Sequence, residues 1–127
     1  MDKKKYYKYL FIVGAFFNWI NASSFLFLSI IDKNIFKLFG SSFPPTLFFL
    51  HSLLALIAVY GLGYFIVGLN LDKNKGVVIL GIVSKLSFFT CCVVYYLIGD
   101  LTLIIVILGS GDFIFACLFI EFYLNYK

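Results

Sequence analysis

Four apolar runs, residues 9–31, 46–69, 76–98 and 101–124, dominate this 127-residue chain. Each exceeds the roughly 20 residues a helix needs to cross a bilayer. Only helices and closed barrels satisfy their own backbone hydrogen bonds in hydrocarbon, and runs this long and continuous are helical rather than alternating. The fold class that follows is all-α: a transmembrane four-helix bundle, up-down-up-down, comprising residues 1–127 as one four-span membrane domain. Composition agrees. Hydrophobic residues make up 63%, charged residues only 13%, and mean hydropathy is +1.06. A soluble domain carries about 25% charge, so an ordinary soluble enzyme, a disordered tail and a nucleic-acid binder are all excluded as classes.

Charge placement sets the expected orientation. The first run opens after Lys3, Lys4, Lys5 and Lys8, with Tyr6, Tyr7 and Tyr9 as an interfacial belt. A cleaved leader shares the basic-then-apolar signature. This run, however, is long, rich in Phe, contains Trp19 and lacks an A-x-A site, so it is expected to be a retained helix. The side bearing the N-terminus, the 70–75 turn and the C-terminus holds Lys73, Lys75 and Lys127 as well. The opposite side holds only Lys33 and Lys37. The positive-inside rule then puts both termini in the cytoplasm. Between the first two runs, Pro44-Pro45 is expected to stop one helix and start the next at its first turn. Ile35, Phe36, Leu38 and Phe39 form a candidate surface segment in that loop, and Gly99-Asp100 a tight turn between the last two runs.

Inside hydrocarbon, ionisable side chains are costly and normally face the bundle interior. Two are deep: Lys85 and Asp112. About the Gly99-Asp100 turn they fall at nearly the same height, offset by about 3 Å at 1.5 Å of rise per residue, and neither has another opposite charge at its own depth. A buried Lys85–Asp112 ion pair is therefore expected. Counted from the ends of their runs, Asn18 and Tyr60 reach the same level, roughly 13–18 Å deep. Asn21 and Tyr64 lie one turn away. Gly14, Asn18, Asn21 and Ala22 share one face of the first run; Tyr60, Gly61, Tyr64 and Gly68 share one in the second. Gly81, Ser84, Lys85, Phe88 and Cys92 line up in the third, and Gly109, Asp112 and Ala116 in the fourth. Small residues permit close helix approach and polar ones bond across it.

Other chemistry is sparse. His51, the sole histidine, sits near the outer end of the second run and is expected to be an interfacial or packing residue. Cys91, Cys92 and Cys117 form no C-x-x-C or metal-ligand pattern, so neither metal nor cofactor is expected. Gly109-Ser110-Gly111 lacks the G-x-S-x-G context of a nucleophile elbow, and Gly61-Leu62-Gly63 the third glycine of a dinucleotide loop. No catalytic motif is present, and the chain is not expected to be an enzyme. Glu121 lies close enough to the end of its run to reach the interface and receives no role. The abundant Phe, Tyr and Trp are expected as lipid-facing bulk and interface anchors.

The stretches Gly81-Ile82-Val83-Ser84-Lys85 and Gly109-Ser110-Gly111-Asp112-Phe113-Ile114-Phe115-Ala116 resemble small four-helix bacterial membrane proteins of the DoxX-like kind. The resemblance implies a bundle in a bacterial inner membrane, sometimes associated with respiratory or redox partners. Two principal functions remain open from the residues, beside a third, an intramembrane enzyme that uses Lys85 or Asp112 as acid or base. One is binding of a small molecule or lipid at the Asn18–Tyr60–Lys85–Asp112 cluster. The other is a non-catalytic accessory or assembly subunit, partnered by another membrane protein or a second copy, in which the Lys–Asp pair is purely structural. The bilayer is a partner in both; nucleic acid is a partner in neither.

Overall fold

The computed structural model describes residues 2–126. Five helices account for about four-fifths of them: α1 (Lys3–Ile31), α2 (Ile35–Leu38), α3 (Phe48–Leu69), α4 (Lys75–Ile98) and α5 (Leu103–Asn125). No strand occurs among the described residues. Four of the helices are long and apolar enough to cross a membrane.

The helix ends differ from the apolar runs for local reasons. α1 begins six residues before its run, because the Asp2 side chain caps the helix by accepting from the Lys4 N–H at 3.3 Å. The lysines and tyrosines of the basic cluster thus continue the helix beyond its apolar stretch. α3 begins at Phe48 rather than in the first turn after Pro45. Thr46 Oγ1 instead accepts from the Phe48 N–H at 3.2 Å, so the two prolines lie in the loop ahead of the helix. α4 ends at Gly99, whose φ of 99° is left-handed and suits glycine. The following turn is longer than a two-residue one, since Leu101 and the N-cap Thr102 precede α5. The segment 35–38 is helical as α2. Its end is fastened to the start of α5: the Phe39 carbonyl accepts from the Thr102 N–H at 2.9 Å, and the Leu38 carbonyl from the Thr102 hydroxyl at 2.8 Å.

Packing is closest within two pairs, α1 with α3 and α4 with α5. Glycine makes the first pair possible at Gly61, where an added Cβ would sit 2.7 Å from Trp19 Nε1. That closeness lets the Trp19 indole donate to the Ala58 carbonyl at 3.0 Å, and the Asn18 amide to the Ile57 carbonyl at 3.0 Å. Between the pairs, Tyr64 of α3 lies against Gly81 of α4, with the tyrosine ring 2.6 Å from where a Cβ would be.

The core corrects one expectation. A good part of the aromatic content is interior. Tyr7, Phe11, Tyr64, Phe119 and Phe122 are all at or below 1% exposure and pack together near the end of the bundle that carries the chain termini. Phe11 stacks on Phe119 with centroids 4.7 Å apart and meets Phe122 edge-on at 4.9 Å. Aromatic pairs in such geometries add about 0.5–1.5 kcal/mol each beyond burial. They knit α1 to α5, helped by a 2.9 Å hydrogen bond from the Tyr7 hydroxyl to Glu121, which therefore does have a structural partner. Other aromatics, Phe16, Phe27, Phe48 and Phe49 among them, face outward.

Candidate functional site

Lys85 stands at the meeting point of three helices. Its Nζ donates to Asp112 Oδ1 on α5 at 2.6 Å and to Asn18 Oδ1 on α1 at 3.1 Å. Lys85 is 4% exposed and Asn18 5%, whereas the Asp112 side chain is 21% exposed. The ammonium also lies over three aromatic rings, 5.2 Å from the Phe17 centroid, 5.3 Å from Tyr64 and 5.5 Å from Phe115. A cation within about 6 Å of a ring face is attracted by its quadrupole. Carboxylate, amide and three ring faces together replace the water that a lysine loses on burial.

The backbone explains why these groups converge. Gly111 has no side chain beside Asp112, and a Cβ there would come within 2.8 Å of the Phe17 ring. Gly109 is likewise close to Cys92, whose sulfur would sit 3.0 Å from a Cβ at that position. α5 can therefore lie close to α1 and α4 on either side of the carboxylate. Asn18 is oriented from both ends of its amide: the nitrogen donates to the Ile57 carbonyl, and the oxygen receives Lys85.

Above this cluster the helices separate around a cavity of about 380 Å³. Its polar wall contains Asn18, Asn21, Tyr60, Ser84, Lys85 and Asp112, together with Tyr64. The rest is Phe, Leu and Ile, with Phe25 and Phe39 toward the α2 loop, their rings 5.9 Å apart. Leu53 and Leu56 of α3 and Leu108 of α5 line the cavity and are also exposed, so it is open to the outside past these side chains. Tyr64 is fully buried, and its hydroxyl has no hydrogen-bond partner among the described residues. An orphaned buried hydroxyl costs about 1–3 kcal/mol.

Of the residues singled out from the sequence, Asn18, Lys85 and Asp112 are in direct contact. Tyr60 shares the cavity wall without a hydrogen bond to those three, its ring 6.3 Å from that of Tyr64. Asn21 also lines the cavity, while its amide donates to the Phe17 carbonyl of its own helix at 2.9 Å. His51 is elsewhere. Its Nε2 lies 3.0 Å from the hydroxyl of Ser29, which itself donates to the Leu26 carbonyl at 2.8 Å, and neither residue lines the cavity. The rings of Phe17 and Phe115 were not anticipated around the ammonium. A signal for them exists in retrospect: Phe17 adjoins Asn18, and Phe115 lies three residues past Asp112 on the same helical face. Among the described residues no group of His, Cys, Asp and Glu is arranged to hold a metal, and Cys91, Cys92 and Cys117 are free thiols. No family model, curated protein or solved structure matches this chain.

Proposed function

We propose that this is a small multi-pass membrane protein that binds a small amphiphile in the cavity above Lys85. The observation that carries the reading is the cavity itself, large enough for a ligand and mostly apolar, with Asn18, Tyr60 and the Lys85–Asp112 pair grouped in its wall. Pockets of about 300–1,000 Å³, mostly apolar with a few polar groups, are the usual form of a small-molecule site. In this reading the polar wall holds the head of the ligand and the apolar wall its tail.

The bundle is taken to be up-down-up-down with both termini in the cytoplasm of a bacterial cell. Contact pairs support the order: residue numbers rise on one helix as they fall on the next, as in Ala15 with Gly61 and Ile12 with Gly68, and in Lys85 with Asp112 and Cys92 with Gly109. The distribution of lysines supports the orientation. A reporter active only outside the cytoplasm, fused after Lys127, is expected to be silent, and activity there refutes the orientation.

A second reading has its own support. Because Lys85 bridges α1, α4 and α5, it could serve only to bolt together an accessory subunit of a larger membrane assembly. Leu108→Trp separates the two, since it blocks the cavity at its outer edge and leaves the ion pair intact. Protein purified from its own membranes in mild detergent is expected to carry a near-stoichiometric amphiphile detectable by mass spectrometry. Leu108→Trp should keep its helicity and lose that molecule. Wild-type protein with no retained amphiphile, and no melting shift with added ones, favours the accessory role.

A further inference from the structure

The charges around the cavity say which kind of head it takes. Among the described residues Lys85 and Asp112 are the only formally charged side chains in its wall, and at 2.6 Å they cancel. A ligand cation would seek the aromatic faces, as quaternary ammonium groups do. Here the faces of Phe17, Tyr64 and Phe115 already surround the chain's own ammonium. A ligand anion would have to compete with a carboxylate at hydrogen-bonding distance from that ammonium. Either ion would also leave one unpaired charge in a low-dielectric site, which is strongly unfavourable.

What remains unused is hydrogen-bonding capacity without net charge. An ammonium has three N–H donors, and Asn18 and Asp112 take two of those of Lys85. Asp112 Oδ2 and the Tyr60 hydroxyl, both in the cavity wall, make no hydrogen bond among the described residues. These donors and acceptors suit an alcohol, amide or ester. The cavity volume of about 380 Å³ is near the lower end for ligand sites. It accommodates a head and part of one chain rather than a two-chain lipid. The remainder of the chain can leave past Leu53, Leu56 and Leu108, where the wall is open to hydrocarbon.

Resting on the reading of this cavity as a binding site, we propose that it selects single-chain amphiphiles with an uncharged, hydrogen-bonding head and admits them sideways past Leu53, Leu56 and Leu108. The test compares three probes with the same 12-carbon tail: dodecanol, dodecanoate and dodecylammonium. Each is titrated into full-length protein in phosphatidylcholine nanodiscs, with empty nanodiscs correcting for partition. Dodecanol is expected to bind saturably and about tenfold more tightly than either ion, the factor that one unsatisfied buried polar group is worth. Tyr60→Phe removes a free hydroxyl from the cavity wall and should weaken dodecanol about tenfold. Asp112→Asn leaves the ammonium unpaired and should make dodecanoate the preferred probe. Should that variant fail to fold, the wild-type panel and Tyr60→Phe still decide the matter. Wild-type binding of either ion as tight as dodecanol overturns the selectivity while leaving the cavity a binding site. Saturable binding of none of the three overturns both.

Discussion

Removing the Lys85–Asp112 pair one partner at a time, and then together, should give very different results. Lys85→Met leaves a carboxylate without its cation, and Asp112→Leu leaves an ammonium without its carboxylate. Breaking a buried pair from one side costs about 3–5 kcal/mol, because the surviving charge is stranded. The two single variants should not be equal. The stranded ammonium is 4% exposed and cannot rehydrate, whereas the stranded carboxylate is 21% exposed and faces the cavity, which can admit water. Asp112→Leu is thus the more damaging. In the double variant no charge is left. Its main loss is the bond that Asn18 Oδ1 receives from Lys85, about 1–2 kcal/mol for a buried polar group deprived of one partner. The coupling energy should therefore be about 3 kcal/mol or more, well above the roughly 0.6 kcal/mol average for interhelical hydrogen bonds in membranes. Reversible unfolding in mixed detergent micelles measures all four proteins on one scale. If the double variant loses the sum of the two singles to within about 0.5 kcal/mol, the side chains act independently and the reasoning fails.

Two further tests probe the packing and the end of the bundle that carries the termini. Gly81→Ala forces a Cβ against the Tyr64 ring at 2.6 Å and should cost about 1–3 kcal/mol. Gly76→Ala, with nothing within 4 Å, should leave the unfolding midpoint unchanged or slightly raised. At the far end, the Tyr126 hydroxyl donates to Asp72 Oδ1 at 2.8 Å. That hydrogen bond, followed by partial burial and the Asp72 charge, raises the phenol above its ordinary value. A raised folded-state value means that this contact stabilises fully below the usual tyrosine range near pH 10. Its contribution is lost as pH climbs through the higher folded value. Asp72→Asn should bring the titration of Tyr126 down, read by ultraviolet phenolate absorbance against Tyr126→Phe. An unshifted titration would show that the contact does not form in solution.

The sequence revealed the ion pair because charges are so scarce in its apolar runs. Once Lys85 and Asp112 stood alone, helical rise and one turn between them were enough to bring them together. Asn18 followed from depth in the same way. Depth placed Tyr60 at the level of the pair and Tyr64 one turn away on the same face, whereas it is the Tyr64 ring that lies against the ammonium. The structure distinguishes them through Gly81, whose missing side chain admits the Tyr64 ring and buries its hydroxyl. The aromatic core was illegible for a different reason. In a soluble helix a polar face marks the outside, but lipid is as apolar as Phe. In α5 only the spacing from Gly109, Asp112 and Ala116 sets inward Phe119 apart from outward Phe113, since the residue type is the same. The extent of α1 was missed because apolar runs mark the membrane rather than the helix, and lysines make good helix formers beyond it.

The most direct test of ligand binding observes Tyr64 itself. With 3-fluorotyrosine incorporated throughout, the fluorine resonance that vanishes in Tyr64→Phe belongs to that residue. Titrating dodecanol into the nanodisc-embedded protein should shift this resonance saturably, and Leu108→Trp should abolish the shift. A Tyr64 resonance that stays fixed while those of exposed tyrosines such as Tyr9 and Tyr95 move would mean that the amphiphile only coats the surface, and that the cavity is not a binding site.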